Sequence, residues 1–94
     1  MRSADTRVND ETRRVVRRRS GGRCEIGWRG CEGTPYCYWR RQPGAQAPSG
    51  VLHACGACVA ASRAHPGKAL LMGVLVHEWL DPAEVMVKRG ESAR

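Results

Sequence analysis

The side chains best suited to chemistry in this sequence are cysteines, five in 94 residues. Cys55-Gly-Ala-Cys58 is a chelating turn, because two thiolates offered by one loop bind an ion with less ordering cost than two from distant segments. Cys24-Glu-Ile-Gly-Trp-Arg-Gly-Cys31 supplies a second, wider pair. Two pairs in one chain predict a tetrahedral four-thiolate site, Cys24, Cys31, Cys55 and Cys58, holding structural Zn2+. Cys37 follows Cys31 closely and competes for a place, since spacing alone does not exclude it. A closed thiolate set has no open position, so it serves folding and not hydrolysis. The plainer use of such side chains is as buried thiols that pack like small hydrophobes.

Metal is favoured over disulfides. The N-terminal run Met1-Arg-Ser-Ala-Asp-Thr-Arg carries no apolar leader pattern, and an odd cysteine count would strand one thiol in an oxidising compartment. The expected location is therefore a reducing cytoplasm. No apolar run approaches the roughly 18 residues of a spanning helix, so no membrane role is expected. A chain of this length makes one domain, and Leu, Ile, Val and Phe are only about a sixth of it, a composition near the disordered range. Such a thin core needs a staple, and a structural metal supplies one.

The elements that must position the cysteines read as follows. Residues 1–8 form a polar tail, 9–88 a single domain and 89–94 a second tail. Asn9 or Asp10 caps a helix to about Arg19, with Glu11 favourable in the first turn. Val8, Thr12, Val15, Val16 and Arg19 lie on one face at helical spacing, and Arg13, Arg14, Arg17 and Arg18 on the other. Ser20-Gly21-Gly22 stops the helix. Glycines then punctuate a turn-rich hairpin around the metal, Tyr36–Arg40 reads as a strand, Gln42–Gly50 as a loop and Val51–Ala54 as a strand leading into Cys55. Ala57–Ala64 predicts a short helix and Gly67–Met72 another, the latter started by Pro66 and ended by Gly73 in a left-handed cap. Val74–Leu80 and Val85–Lys88 predict a closing pair of short strands. With no Phe in the chain a tryptophan must fill the core, and Trp79 is the candidate.

The formal charge of +7 favours a polyanion partner, and six arginines crowd between residues 13 and 23. A solvated helix face is the plainer explanation of the same run. Arg13, Arg14, Arg17, Arg18, Arg23, Arg40 and Arg41 are the candidate phosphate contacts. No small-molecule substrate is expected.

Arg19-Ser-Gly-Gly-Arg-Cys-Glu-Ile, Gly30-Cys31-Glu-Gly, Leu52-His-Ala-Cys-Gly-Ala-Cys58 and Asp81-Pro-Ala-Glu-Val together resemble the HNH endonucleases of actinobacterial phages, over about residues 15–88. The resemblance implies a phage origin and a small α+β zinc-bound domain. Its core would be of the HNH-like ββα-metal or treble-clef kind, with the arginine-rich helix before it and the strand pair after it. The chemistry departs from the family. Tyr38 and Trp39 stand where the family has its His-His pair, Gly50 where it has asparagine, Val59 where it has its metal-binding histidine and Arg63 where a further histidine follows. His53, His65 and His77 match no signature position, so no catalytic residue is assigned. The expectation is an inactive HNH-like scaffold that binds nucleic acid with weak sequence preference. An adaptor or inhibitor of a host or virion protein, and an active nuclease with a rebuilt site, are the alternatives.

Overall fold

The computed structural model describes residues 8–88. The first element, α1 (Asp10–Ser20), starts where the Asn9 side chain accepts the Thr12 backbone N–H at 2.8 Å. It ends at Gly21, which adopts φ 62° and donates its N–H to the Arg17 carbonyl. Only a narrow stripe of the helix is covered. Thr12 and Val16 are buried, while Val15 and Arg19 are exposed. The expected N-terminal tail lies outside the described residues except for Val8, which is buried instead of frayed. It packs with Val16, Tyr38 and Val51 and so extends the apolar stripe beyond the cap. The expected tail at 89–94 also lies outside the described residues.

Strands β1 (Cys37–Arg40) and β2 (Val51–Ala54) pair antiparallel, with Cys37 opposite Ala54 and Arg40 opposite Val51. The two-residue period of a strand divides their side chains between two layers. Tyr38 and Val51 face the α1 stripe. Leu52 and Ala54, with Trp39 half-buried beside them, join the main core of Ile26, Trp28, Val59, Ala69 and Val74. Helix α2 (Gly56–Ala64) follows β2 directly, and α3 (Pro66–Leu71) packs on it. Gly73 is left-handed as expected, at φ 81°.

Two expectations fail toward the C-terminus. Trp28, 2% exposed, is the core tryptophan, whereas Trp79 is 77% exposed and stacks on the His77 ring at the surface. The strand pair over 74–80 and 85–88 does not form; the described sheet has two strands, β1 and β2. The segment is irregular, with one 3-10 turn at Pro82–Glu84. Its backbone is satisfied by turns and isolated backbone bonds, such as Val76 N–H to the Arg41 carbonyl and Lys88 N–H to the Met72 carbonyl, and by side chains, instead of a ladder. Gln42 Nε2 donates to the His77 and Leu80 carbonyls at 2.6 and 2.7 Å, and the Arg41 guanidinium takes the Gly73, Pro82 and Val85 carbonyls. The chain also passes so close to Gly73 that a Cβ there would collide with the Met86 carbonyl.

Candidate metal centre and arginine face

The four-cysteine group is assembled from a tight loop and a helix start. Cys24 donates its N–H to the Gly33 carbonyl and Cys31 to the Trp28 carbonyl, both at 2.9 Å, which folds residues 24–33 back on themselves and brings the first pair together. Cys55 is the N-cap of α2, its sulfur accepting the Cys58 N–H at 3.4 Å. The Cys55 N–H in turn points at the Cys24 sulfur, 3.3 Å away, and so ties the two pairs to each other.

All four sulfurs lie within 4.8 Å of one another, so the group could hold a metal ion. A tetrahedron with metal–sulfur arms of about 2.3 Å has edges of about 3.8 Å, and the Cys55 and Cys31 sulfurs are 3.8 Å apart. Cys24, Cys55 and Cys58 are buried and Cys31 half-buried. Backbone N–H groups of Glu32 and Gly33 donate to the Cys55 and Cys31 sulfurs, the kind of contact that supports thiolate charge. Cys37 is not in this group; it pairs with Ala54 along the sheet.

The four thiols sit in unlike electrostatic surroundings. Burial pushes the Cys58 thiol well above its ordinary range, with the neighbouring Cys24 and Cys55 charges acting the same way and a Trp28 backbone contact opposing them. Burial likewise raises Cys31. Cys55 would also be raised by burial, but the Glu32 and Cys58 N–H groups carry it below its usual value. Four thiols packed this closely do not ionise together unaided; a divalent ion offsets their mutual repulsion and their desolvation.

The seven arginines assigned to phosphate contact are not equivalent. Arg14, Arg17 and Arg18 are exposed along α1, and Arg23 is exposed in the turn after it. Arg13 is half-buried and paired with Asp10. Arg17 donates to the Tyr38 hydroxyl at 2.9 Å. Arg40 is half-buried on β1. Arg41 must be withdrawn from the set, because it is 3% exposed and spends its donors on backbone carbonyls. Arg19, which sequence pattern places on the covered face, grips Glu25 through two bonds of 2.7 Å and also reaches the Pro48 and Val51 carbonyls.

The positions that the HNH resemblance would assign to chemistry hold packing groups. Trp39 donates its indole N–H to the Val74 carbonyl at 2.8 Å, and the Arg63 guanidinium lies 5.9 Å from its ring centroid. Val59 is buried in the main core. Gly50 is buried, and a Cβ there would sit 2.9 Å from that of Ala45, so an asparagine would force the loop to shift. Tyr38 is buried against α1, stacked on His53 at 4.8 Å. His53 Nδ1 lies 2.8 Å from the Ser20 hydroxyl. Spacing along the chain does not reveal this Tyr38–His53 pair; the register of the two strands does, by setting the residues directly opposite each other. No helix among the described residues is long and apolar enough to cross a membrane.

No protein-family model matches this chain, and neither a curated protein nor a solved structure matches it.

Proposed function

We propose that this chain is a zinc-folded, HNH-like domain without nuclease activity, and that it binds nucleic acid through the outer face of α1. The order of elements supports the scaffold half of this reading. A cysteine-bearing turn, an antiparallel strand pair and a helix that begins with the second cysteine pair would form a treble-clef arrangement around one zinc ion. Zinc is the ion of choice because four thiolates in a tetrahedral set suit its size and softness.

The observation that carries the binding half is the run of exposed guanidiniums, Arg14, Arg17 and Arg18, on a helix whose opposite stripe is locked into the fold. A rigid row of cations neutralises phosphates and releases counterions, giving affinity with little base preference. Replacing Arg14, Arg17 and Arg18 by Ala should weaken binding to duplex DNA and flatten the log–log salt dependence by about 0.9 for each phosphate no longer neutralised. The measurement is fluorescence anisotropy of a labelled duplex across a salt series. An unchanged slope, or no binding by the parent at low salt, sinks the nucleic-acid reading. It would favour the adaptor alternative, for which the exposed Trp79 and Met86 supply an aromatic and a methionine suited to a protein interface.

The same reading predicts no cleavage of DNA with magnesium, manganese, nickel or zinc. Loss of a general base alone costs about 10²- to 10⁴-fold, and here Trp39 and Val59 also fill positions that would have to supply imidazole. Cleavage that follows the purified protein and vanishes in His53→Ala would show a rebuilt site and overturn this part of the proposal.

A further inference from the structure

A cleft of about 470 Å³ opens between α1 and β1, on the side of the sheet away from the cysteines. Its wall is Arg13, Arg14 and Arg17, its floor the stacked pair Tyr38 and His53, and its rim Tyr36. Guanidiniums and aromatic rings in one recess match the two parts of a nucleotide, phosphate and base. We infer that this cleft takes one unpaired nucleotide of a single-stranded nucleic acid, with the phosphate on Arg14 and Arg17 and the base stacked on Tyr36. The inference rests on the nucleic-acid reading above and specifies the form of strand that the face prefers.

The charge inside the cleft supports an anion. Asp10 also lines it, but its carboxylate is paired with Arg13, which leaves Arg14 and Arg17 to set the local potential. Arg17 is held in place by its bond to the Tyr38 hydroxyl, so its guanidinium is presented with part of its ordering cost already met. Tyr38 is 6% exposed and acts as a fixed floor.

Tyr36 supplies the stacking surface. It is 78% exposed, yet its backbone N–H is anchored on the Ala54 carbonyl at 2.7 Å, so the ring projects from a fixed point beside the arginines. An aromatic face in water stacks on any base, which is why such platforms are tolerant of sequence. In a duplex the base faces are already stacked on their neighbours, and the cleft is the size of a small-ligand pocket, not of a double helix. An unpaired strand can place phosphate and base there together; an intact duplex can offer only phosphate.

The test compares a labelled single strand, a duplex of the same sequence and dextran sulfate, which has the charge of a polyanion and no bases. The zinc-loaded full chain and its Tyr36→Ala and Tyr36→Phe variants are titrated with each. The parent should bind the single strand more tightly than the duplex. Tyr36→Ala should weaken the single strand about tenfold and leave the duplex and dextran sulfate unchanged, while Tyr36→Phe keeps the ring and restores the affinity. Arg14→Ala should weaken all three ligands. Tyr36→Ala with unaltered single-strand affinity overturns the inference, as does a parent that prefers the duplex. Either result leaves salt-dependent duplex binding standing, whereas a parent that binds none of the three removes the broader reading as well. Because Tyr36 is a surface side chain, an unchanged melting temperature checks that Tyr36→Ala is folded.

Discussion

Treating the purified domain with a strong chelator at neutral pH should abolish its cooperative thermal melt and its helical circular dichroism together. Structural zinc in small domains contributes about 10–16 kcal/mol of apparent binding free energy, as much as the whole stability of an ordinary domain, about 5–15 kcal/mol. Here the ion would hold more than its own ligands. Cys24 and Cys55 are 1% and 0% exposed, and their sulfurs and amides join the residue 24–33 loop to the start of α2. Without the ion, four thiols remain crowded together, and burial raises two of them. Cys58→Ser should behave like chelation, and Cys37→Ser should retain full metal content because Cys37 lies outside the group. A preparation without stoichiometric metal that still melts cooperatively in chelator would refute the four-thiolate site, and metal loss in Cys37→Ser would show the ligand set to be wrong.

What is legible in the sequence is carried by local rules. A chelating Cys-x2-Cys turn, an Asn cap followed by acidic residues and a Ser-Gly-Gly stop each act over a few residues, and α1 and the cysteine group appear where those signals place them. The two strands are legible for the same reason, as short runs on either side of a loop dense in Pro and Gly, whereas their pairing with each other comes from the structure. Arg19 shares its helix face with Thr12 and Val16 in the sequence pattern, but it is exposed and its ion pair with Glu25 is visible only in the structure.

Two misreadings, the C-terminal strand pair and the place of Arg41 among the phosphate contacts, share one cause, which is that long side chains satisfy backbone groups far away in sequence. Alternation in 74–80 and 85–88 resembles that of strands, but strand pairing requires free carbonyls, and Arg41 and Gln42 take several of them. With no strand to turn it inward, Trp79 stays at the surface on His77, and Trp28, which lies between Cys24 and Cys31 in the chain, fills the core in its place. Arg40 and Arg41 read as one basic patch because composition does not say which of two adjacent arginines a β-strand exit turns inward.

That inward turn gives the second large effect. Arg41 Nε donates to Gly73, one terminal nitrogen to Ser49 and Pro82 at 2.7 and 3.1 Å, and the other to Val85, so one planar group joins three segments of chain. Its backbone carries the same connection, accepting from Val76 and donating to Gly50. No carboxylate forms an ion pair with it among the described residues. Burial, and after it the charge of Arg19, lowers its pKa from the usual arginine value, yet a guanidinium remains protonated throughout the working range of proteins. Among the described residues, its charge is therefore offset by carbonyl dipoles. Hydrogen bonds to a charged group contribute about 1.5–3 kcal/mol each in net terms, and they are not additive, so Arg41→Met should destabilise the zinc-loaded domain by about 3–5 kcal/mol. Arg41→Lys should lose a large part of that too, because an ammonium lacks the fork that reaches carbonyls on several sides. Denaturant midpoints give the magnitude, and protease cleavage within 73–88 ahead of the rest of the chain gives the location. A midpoint unchanged by Arg41→Met would show that the C-terminal segment is held by other means. A fall in the DNA salt slope in folded Arg41→Lys would be equally decisive, since a lysine at a buried position should leave phosphate contacts on α1 untouched, and only an Arg41 that reaches solvent could change them.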